Sequence, residues 1–573
     1  MMQEVNVPSR PKRNFIPEDF EVSNWDSLSP FFKDLEDRAI SSSKDLEKWL
    51  LDRTEIDAIL EEDFAFRYIR MNIDTNDKAL ADRFNLFVTE IQPKLAPISD
   101  TLNKKCYNSE FFKDLDEEEY KIFIRSLKTQ IELFREENIP LHTQLQQDEQ
   151  KYGGITGKLS IEHNGQELTL PQAGKHLKST DRTLRKDIFE KISEKRLSVK
   201  EELQTLLSDL LKTRLEVAKN TGYPNYLEYK FDAMERFDYT IKDCENFHDA
   251  VQKTVVPLIK ELQLERKEKL GLDSLRPYDM AIDPSGKEAL KPFEVGDQLV
   301  TKSIECLTKL NPYFGECLAI MDKMGHLDLV SKKGKAPGGF NYPLYEIGVP
   351  FIYMNAVGTQ RDVVVMLHEA GHAIHSFLSR DLKLNEFKSV TSEVAELASM
   401  SMELISMDAW DVFYDSEEEL KRAKKDQLAG VIETLPWIAI VDKFQHWLYS
   451  NLDHSHEERL AAWKAILSEF GTGVVDHSGY EEGLLYGWQK QLHIFEVPLY
   501  YIEYGMAQLG AVAMWKNFKE NPEQTIEQYK AALQLGYTKT IGEIYDTAGI
   551  KFEFSAEYIK ELMDFVKKEY DAL

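Results

Sequence analysis

Two histidines and an acid lie together between residues 368 and 372. His368 and His372 are four residues apart, and Glu369 directly follows the first histidine. On an α-helix this spacing brings both imidazoles to one face, where their nitrogens can bind a single divalent cation. Glu369 then projects about 100° away and can reach a water on that cation without binding the cation itself. The pattern predicts a metal site with a general base beside it.

The residues before this motif predict the helix that it requires. Thr359 is followed three residues later by Asp362, which resembles a capping box with a shortened acid. The apolar run 363–367 then suits a buried helix. We therefore expect a helix that begins near Thr359 and carries the two histidines.

A catalytic zinc site needs a third protein ligand and an open position. The segment 392–399 predicts the next helix, on which acids lie among small and apolar residues. We expect Glu396 to be the third ligand, with Glu393 as the alternative. Glu403 lies on the same face and is expected to accept a hydrogen bond from a ligand histidine. His375 is expected in the core or beside a ligand, because a fourth protein ligand would close the site.

A second group of polar and aromatic residues lies between His493 and Tyr504. If a helix begins near Pro498, Tyr500 and Tyr504 share one face and His493 precedes them on a loop. A phenol or an imidazole N–H directed at the metal could stabilise an oxyanion. Aromatic residues at this spacing are otherwise typical of a hydrophobic core.

Helical spacing of apolar residues covers most of the chain that positions these groups. It runs from Trp25 to about Gln147, over 182–219 and 239–269, and from Thr359 to the C-terminus, with stops expected at Gly471, Gly536 and Gly549. Alternating residues on both sides of Asn164-Gly165 predict a β-hairpin. A second β-rich passage, 338–355, contains Pro350, which favours the start or edge of a strand.

The composition excludes several classes of protein. The chain has 573 residues, 42% of them hydrophobic, and a formal net charge of −28, which argues against a nucleic-acid-binding protein. Neither a secretory signal near Met1 nor an apolar run of about 20 residues is evident, so we expect no membrane association. The four cysteines are widely spaced, which is typical of reduced thiols in a cytoplasmic protein.

The segment 368–375, the acid at Glu396 and the cluster 493–504 together resemble the oligoendopeptidase F and thimet oligopeptidase family of zinc peptidases. The segments Pro498-Leu499-Tyr500-Tyr501 and Tyr504-Gly505 are more similar to the oligoendopeptidase F branch.

This resemblance implies a role for each residue of the site. His368, His372 and Glu396 would bind one Zn²⁺ per chain, and Glu369 would act as general base on a zinc-bound water. His493 and Tyr504 would stabilise the oxyanion, and Tyr500 would contact substrate. The choice among Tyr500, Tyr501 and Tyr504 for the oxyanion stays open, with Tyr501 otherwise expected to bind substrate.

The resemblance also implies a mainly α fold, in which two helical lobes surround a deep channel and a zincin-like core. The β-rich passage would supply an edge strand for the substrate backbone, with Gly339 and Phe351 as expected contacts. We expect an N-terminal helical lobe over 1–180, ending in the hairpin, and a catalytic region over 181–573. The sequence does not determine the oligomeric state.

The expected activity is endopeptidase cleavage of short peptides, and two alternatives are kept. A zinc carboxypeptidase would need a cation for the terminal carboxylate, and no arginine stands out for this role. A non-catalytic peptide-binding protein would have no need for the base Glu369.

Overall fold

The protein is described over residues 5–573 by a computed structural model in which helices account for 69% of the chain and strands for 4%. The expected mainly α class is therefore confirmed. Residues 1–4, part of the segment in which we expected no secretory signal, lie outside the described residues. No helix within 5–573 is long and apolar enough to cross a membrane.

Six helices form the N-terminal part of the described chain, as the sequence predicted. Four of them, the first, second, fourth and fifth, bury an apolar cluster that includes Trp49, Leu102 and Phe123 and that Leu384 and Phe387 join from later in the chain. A π-helical segment, Phe87–Ile91, joins the third and fourth of them, and a 3-10 turn, Phe112–Asp114, precedes the fifth. The helices are α1 (Trp25–Asp37), α2 (Ser43–Ile73), α3 (Lys78–Leu86), α4 (Gln92–Tyr107), α5 (Glu117–Leu133) and α6 (Asn138–Thr156).

The predicted hairpin is confirmed. Its strands, β1 (Ser160–His163) and β2 (Gln166–Thr169), pair antiparallel. Asn164 and Gly165 form the turn with φ values of 52° and 74°, which asparagine and glycine tolerate better than other residues.

The middle of the chain contains two breaks that the sequence reading did not predict. The helical pattern over 182–219 divides at Ser198–Val199, and the pattern over 239–269 divides at Val255. Pro257 accounts for the second break, because it lacks an N–H and is tolerated only in the first turn of a helix. The helices are α7 (Leu170–Gly174), α8 (Arg182–Leu197), α9 (Lys200–Asn220), α10 (Tyr226–Ala233), α11 (Ile241–Thr254), α12 (Val256–Lys269), α13 (Gly296–Leu310) and α14 (Pro312–Met324).

A three-stranded sheet precedes the metal motif. Its strands are β3 (Leu327–Val330), β4 (Phe340–Tyr342) and β5 (Phe351–Ala356), in the order β3-β5-β4. β5 pairs parallel with β3 and antiparallel with β4. Pro350 directly precedes β5, in agreement with its predicted place at a strand start. β3 was not predicted, and it makes β5 the central strand and β4 an edge.

The rest of the chain is helical, and stops at Gly471, Gly536 and Gly549 follow helix ends as predicted. A short helix, α21, carries His493, which the sequence reading had placed on a loop. The helices are α15 (Gln360–Ser379), α16 (Asn385–Lys388), α17 (Ser392–Ile405), α18 (Glu417–Ser450), α19 (His456–Glu469), α20 (Glu481–Leu485), α21 (Leu492–Glu496), α22 (Tyr501–Glu520), α23 (Pro522–Gln534), α24 (Ile541–Thr547) and α25 (Ala556–Ala572).

α17 lies between α15 and α22 and packs closely on both. At Gly371 an added Cβ would lie 2.6 Å from the Ala398 oxygen and from the Ser399 Cα. At Gly510 it would lie 2.8 Å from Leu397. Glycines therefore permit both close approaches, and the three helices form one rigid unit around the site.

The largest apolar core extends from Ala65 to Tyr570 and includes residues from both sides of position 180. Both apolar clusters thus join N-terminal helices to residues beyond position 180. The division into 1–180 and 181–573 stays a prediction.

Candidate metal and catalytic site

α15 presents His368, Glu369 and His372 to a cavity. The helix starts at the predicted place, because the Thr359 side chain and the Asp362 side chain cap each other's backbone N–H groups. His368 donates from Nδ1 to Glu403 Oε1 over 2.7 Å, which leaves its Nε2 directed at the cavity. The structure therefore places Glu403 in the supporting position that the sequence suggested.

α17 presents Glu396 to the same point. Its Oε2 lies 3.3 Å from His368 Nε2 and 3.6 Å from His372 Nε2. One ligand atom from each of these three residues lies within 4.8 Å of the others. Glu393, the alternative, is 1% exposed and accepts a hydrogen bond from Tyr239 instead. The geometry thus favours Glu396 over Glu393 as the third ligand.

The donor set fits a zinc ion. Two imidazole nitrogens and one carboxylate oxygen are a common set of protein ligands in catalytic zinc sites. Glu396 is held in place by a 2.8 Å hydrogen bond from Ser399 Oγ to Oε2 and a 2.7 Å hydrogen bond from Tyr500 to Oε1. The two imidazoles and the carboxylate share one cavity, so the residues present can hold the metal that the resemblance implies.

The charges of these groups depend on their burial and on each other. Burial opposes ionisation of Glu396, but His372, His368 and Tyr500 hold its pKa at about 2. Burial lowers the pKa of His372 to about 4. A carboxylate beside the neutral His372 suits metal binding. Burial opposes protonation of His368, but Glu396 and Glu403 raise its pKa well above the ordinary value, so metal binding must displace a proton from His368.

Glu369 is suited to accept a proton. Its side chain is 5% exposed, and burial raises its pKa to about 7. Its Oε2 makes no hydrogen bond with any residue from 5 to 573. A Cβ at Gly339 would lie 3.8 Å from its Oε1, so the glycine keeps the space beside the carboxylate open. A base with a pKa near neutrality is effective in proton transfer.

Tyr504 is oriented by a chain of hydrogen bonds. The Trp437 indole N–H donates to Gln491 Oε1 over 3.1 Å, which fixes the orientation of this amide. Gln491 Nε2 lies 2.7 Å from His493 Nδ1 and can only donate to it, so the imidazole proton is on Nε2. Nε2 lies 3.1 Å from the Tyr504 hydroxyl and donates to it. The phenol proton of Tyr504 is then free to be donated into the cavity.

The turn before α22 is strained and firmly held. Leu499 has a φ of 65°, a conformation that a leucine rarely adopts. Its N–H donates to Gln445 over 2.8 Å, and Arg236 donates to its carbonyl. Arg236 also pairs with the buried Glu503 over 2.7 Å. These contacts fix where Tyr500 and Tyr504 leave the turn.

Two cavities meet at Tyr500. The first, of about 330 Å³, is lined by the metal-binding group, Glu369, Tyr504 and Gly339. The second, of about 490 Å³, lies between α4–α6 of the N-terminal helices and α10. Tyr500 lines both. Together they extend from the metal-binding group to the N-terminal helices.

Two expected substrate contacts do not reach this space. Phe351 is 6% exposed on the central strand β5, whose edges are both paired, so it packs in the core. Tyr501 packs its ring against His493 at 5.0 Å between centroids and does not line the first cavity. Gly339, by contrast, lies on its wall beside the edge strand β4. The edge strand in the predicted passage 338–355 is β4, and the expectation that Phe351 contacts substrate was wrong because Phe351 lies on the central strand β5.

His375 lines the first cavity and is 4% exposed. It contributes no atom to the group of three possible metal ligands, and burial lowers its pKa to about 3. It is therefore a neutral residue beside the site, as the sequence suggested.

Sequence reasoning missed four residues that support the site: Ser399, Gln427, Trp437 and Gln491. Gln427 donates to Glu403 Oε2 over 2.9 Å and so completes the support of His368. The sequence spacing of the two glutamines and the tryptophan does not distinguish residues that support a site from residues that pack in the core. Only Ser399, three residues after Glu396, had a helical position that could have suggested contact.

The chain belongs to peptidase family M3. The family model described as "Peptidase family M3" matches residues 175–564, and the model described as "Peptidase M3 N-terminal domain" matches residues 15–134. The resemblance inferred from the motifs is thereby confirmed.

Individual relatives agree with this assignment. An oligoendopeptidase F homolog of Borreliella burgdorferi is 23% identical over 377 residues, which are 63% of this chain and 61% of the relative. Oligopeptidase PepF of Bacillus subtilis (strain 168) is 22% identical over 391 residues, 65% of this chain and 55% of the relative. Both alignments span less than two thirds of the relative's length.

A solved structure matches nearly the whole chain. The structure of PZ peptidase A with an inhibitor has a TM-score of 0.92 and 25% sequence identity, and covers 97% of this chain and 99% of that chain. The helical architecture is therefore that of the solved PZ peptidase A structure.

Proposed function

We propose that this protein is a zinc-dependent endopeptidase that hydrolyses internal bonds of short oligopeptides. The observation that carries the proposal is the convergence of His368, His372 and Glu396 next to the buried carboxylate of Glu369. Family membership supports peptide hydrolysis, and the donor set supports one zinc ion at this site.

His368, His372 and Glu396 would hold the zinc ion, which would supply Lewis-acid chemistry for activating water and for polarising the substrate carbonyl. Glu369 accepts the proton of the attacking water, for which its raised pKa of about 7 is suited. Glu369 then delivers this proton to the amine of the leaving peptide. One carboxyl group thus serves as base and as acid.

The Tyr504 hydroxyl donates a hydrogen bond to the substrate oxygen that becomes negative when the carbonyl is attacked. His493 orients Tyr504 and does not contact the substrate, because its Nε2–H is directed at the Tyr504 hydroxyl and not at the cavity. Donors of this kind stabilise the transition state by about 3 kcal/mol each. Tyr500 contacts the substrate and supports Glu396.

The edge strand β4 binds the substrate as an additional strand. Its outer side is unpaired within the described sheet, and Gly339 precedes it on the cavity wall. Main-chain pairing tolerates varied side chains, which suits a peptidase acting on many short peptides.

We also propose a cytoplasmic location, because all four cysteines are buried thiols without disulfides.

A carboxypeptidase is the second candidate, because Arg380 and Lys388 line the first cavity and could bind a terminal carboxylate. The sequence reading did not single out this arginine. Peptides blocked at both ends separate the two functions. An endopeptidase cleaves them at internal bonds, whereas a carboxypeptidase leaves them intact.

The central test is digestion of a mixed, end-blocked peptide library by the purified protein, read by mass spectrometry. Internal cleavage is expected, and a chelator should abolish it. Library peptides that stay intact with the zinc-loaded protein would refute the proposal.

Glu369→Gln should retain zinc and lose nearly all turnover, because the amide cannot accept the proton. Glu417→Gln, on the exposed start of α18, is the matched control and should cleave normally. Near-normal hydrolysis by the zinc-loaded Glu369→Gln protein would remove Glu369 from the mechanism.

A further inference from the structure

A second group of metal-binding side chains lies away from the catalytic cavity. Cys244 and His248 are four residues apart on α11, and Asp442 and His446 are four residues apart on α18. The two helices pack against each other and bring both pairs together. Each pair has the spacing that brings two side chains to one helix face.

The ligand atoms of three of these residues converge. One atom each from Cys244, Asp442 and His446 lies within 4.8 Å of the others, the only such group in residues 5–573 besides the catalytic one. His446 Nε2 lies 3.2 Å from Asp442 Oδ2. Adjacent ligand atoms of a tetrahedral zinc site are about 3.3 Å apart, since each lies about 2.0 Å from the metal. The corresponding pairs at the catalytic group are 3.3 and 3.6 Å apart.

Hydrogen bonds account for only part of the arrangement. His248 Nε2 donates to Asp442 Oδ2 over 2.7 Å and His446 Nε2 lies 3.2 Å from the same oxygen, but Asp442 Oδ1 finds no hydrogen-bond partner in the described chain. Both side chains are buried, with Asp442 at 0% and His446 at 8% exposed. An unpaired buried polar atom costs about 1–3 kcal/mol. A cation bound to both residues removes that cost.

We propose that Cys244, Asp442 and His446 form a second metal site that binds zinc or a similar transition-metal ion, with His248 holding the aspartate in place. A thiolate, an imidazole and a carboxylate are all zinc ligands, and the sulfur disfavours calcium and magnesium. The metal displaces the thiol proton of Cys244, which passes to solvent. This inference does not rest on the proposed peptidase activity.

The proposed role of this ion is structural. Cys244 is 0% exposed, so no substrate reaches the site. The ion would join α11 to α18, and Phe247 on α11 lies against Gly505 of α22, where an added Cβ would be 2.6 Å away. The second ion would thus stabilise the packing of α11 and α18 next to α22, the helix that carries Tyr504.

Metal counting tests the proposal on the full chain. Protein expressed in zinc-supplemented medium and dialysed should contain two zinc ions per chain. Cys244→Ser and Glu396→Gln should each contain about one, and the control Cys317→Ser, a buried thiol outside both groups, should contain two. Brief chelation should remove only one ion from the wild type, because the second is buried. One ion in the wild type, or two in Cys244→Ser, would overturn the proposal.

Cobalt distinguishes the two sites by their ligands, because the catalytic group contains no sulfur. The Glu396→Gln protein, expressed with cobalt, should show the strong near-ultraviolet absorption of a thiolate–cobalt bond. This variant keeps all residues of the second group, so the test stands even if Cys244→Ser does not fold. Absence of that absorption in the cobalt-grown Glu396→Gln protein would also overturn the proposal.

Discussion

At the scale of single residues, the sequence predicted the metal-binding and acid–base residues of the site but not the residues that hold them in place. The residue types and helical spacing of His368, Glu369, His372 and Glu396 predict three metal ligands and, at Glu369, a base beside them. Gln491 and Trp437 have no such pattern, yet they determine which nitrogen of His493 carries the proton. Such support depends on contacts between distant segments, which spacing in one chain does not reveal.

Tyr504→Phe should lower kcat about 100-fold and leave KM nearly unchanged, because the lost hydroxyl acts on the transition state and not on the bound peptide. Steady-state kinetics on one end-blocked peptide measures both constants.

Tyr501→Phe is the control, since Tyr501 does not line the first cavity. It also decides between Tyr501 and Tyr504, two of the three tyrosines among which the sequence left the choice open. A greater loss in Tyr501→Phe than in Tyr504→Phe would reverse the assignment.

At the scale of elements, the sequence predicted what local chemistry determines. The cap at Thr359, the glycine stops and the hairpin turn at Asn164-Gly165 are set by neighbouring residues, and all are found. β3 was missed, because its four residues join the sheet only through pairing with β5, which lies more than 20 residues further along the chain. Because β3 makes β5 the central strand, Phe351 lies on a strand that a substrate cannot extend.

The close approach of α15 and α17 depends on Gly371. Gly371→Ala places a methyl group 2.6 Å from α17 backbone atoms, so the helices must separate. We expect a loss of about 2 kcal/mol in the free energy of unfolding and weaker zinc binding, because Glu396 moves away from the imidazoles. Denaturant unfolding and zinc titration measure the two effects. Gly430→Ala, in open space on α18, is the control, and equal zinc affinity in both variants would contradict the argument.

The start of α8 is anchored by a buried acid. Asp279 is 0% exposed and pairs with Arg182 over 2.7 Å and with Arg185 over 2.8 Å. Burial opposes its ionisation, but the two arginines hold its pKa below the ordinary value. Its stabilisation is therefore present above pH about 4, the unfolded pKa, and is lost as the pH falls through the folded pKa.

Asp279→Asn should lower the free energy of unfolding by about 3 kcal/mol at pH 7, because two arginines lose their charged partner. The difference from the wild type should shrink as the pH is lowered below about 4, where the wild-type acid becomes protonated. Urea unfolding at several pH values measures this. The exposed Asp273→Asn is the control, and a difference that does not change with pH would argue against the ion pair.

At the scale of the whole molecule, the catalytic groups lie inside and not on an open face. Glu369 and Glu396 are 5% and 3% exposed, and the second cavity lies between them and the N-terminal helices. The sequence alone gave no size or path for this space, since it arises from helices that are hundreds of residues apart.

The enclosed site should exclude folded proteins. We expect rapid cleavage of an end-blocked peptide of about 10 residues and negligible cleavage of the same segment placed in a surface loop of a stable domain, because a bound strand must be extended. Gel electrophoresis and mass spectrometry compare the two substrates. The loop-bearing domain after unfolding serves as the control, and equal cleavage of the folded and unfolded forms would contradict an enclosed site.

Tyr500 links the two cavities in a way that has a thermodynamic consequence. Its ring lines both, and its hydroxyl holds Glu396, a proposed ligand of the metal. A peptide that packs against this ring therefore also restricts the movement of the Glu396 carboxylate. Linkage is reciprocal, so a peptide that binds more tightly to the metal-loaded protein must in turn raise the affinity of the protein for the metal. Abundant peptides would then protect the enzyme from becoming the apoprotein when zinc is scarce.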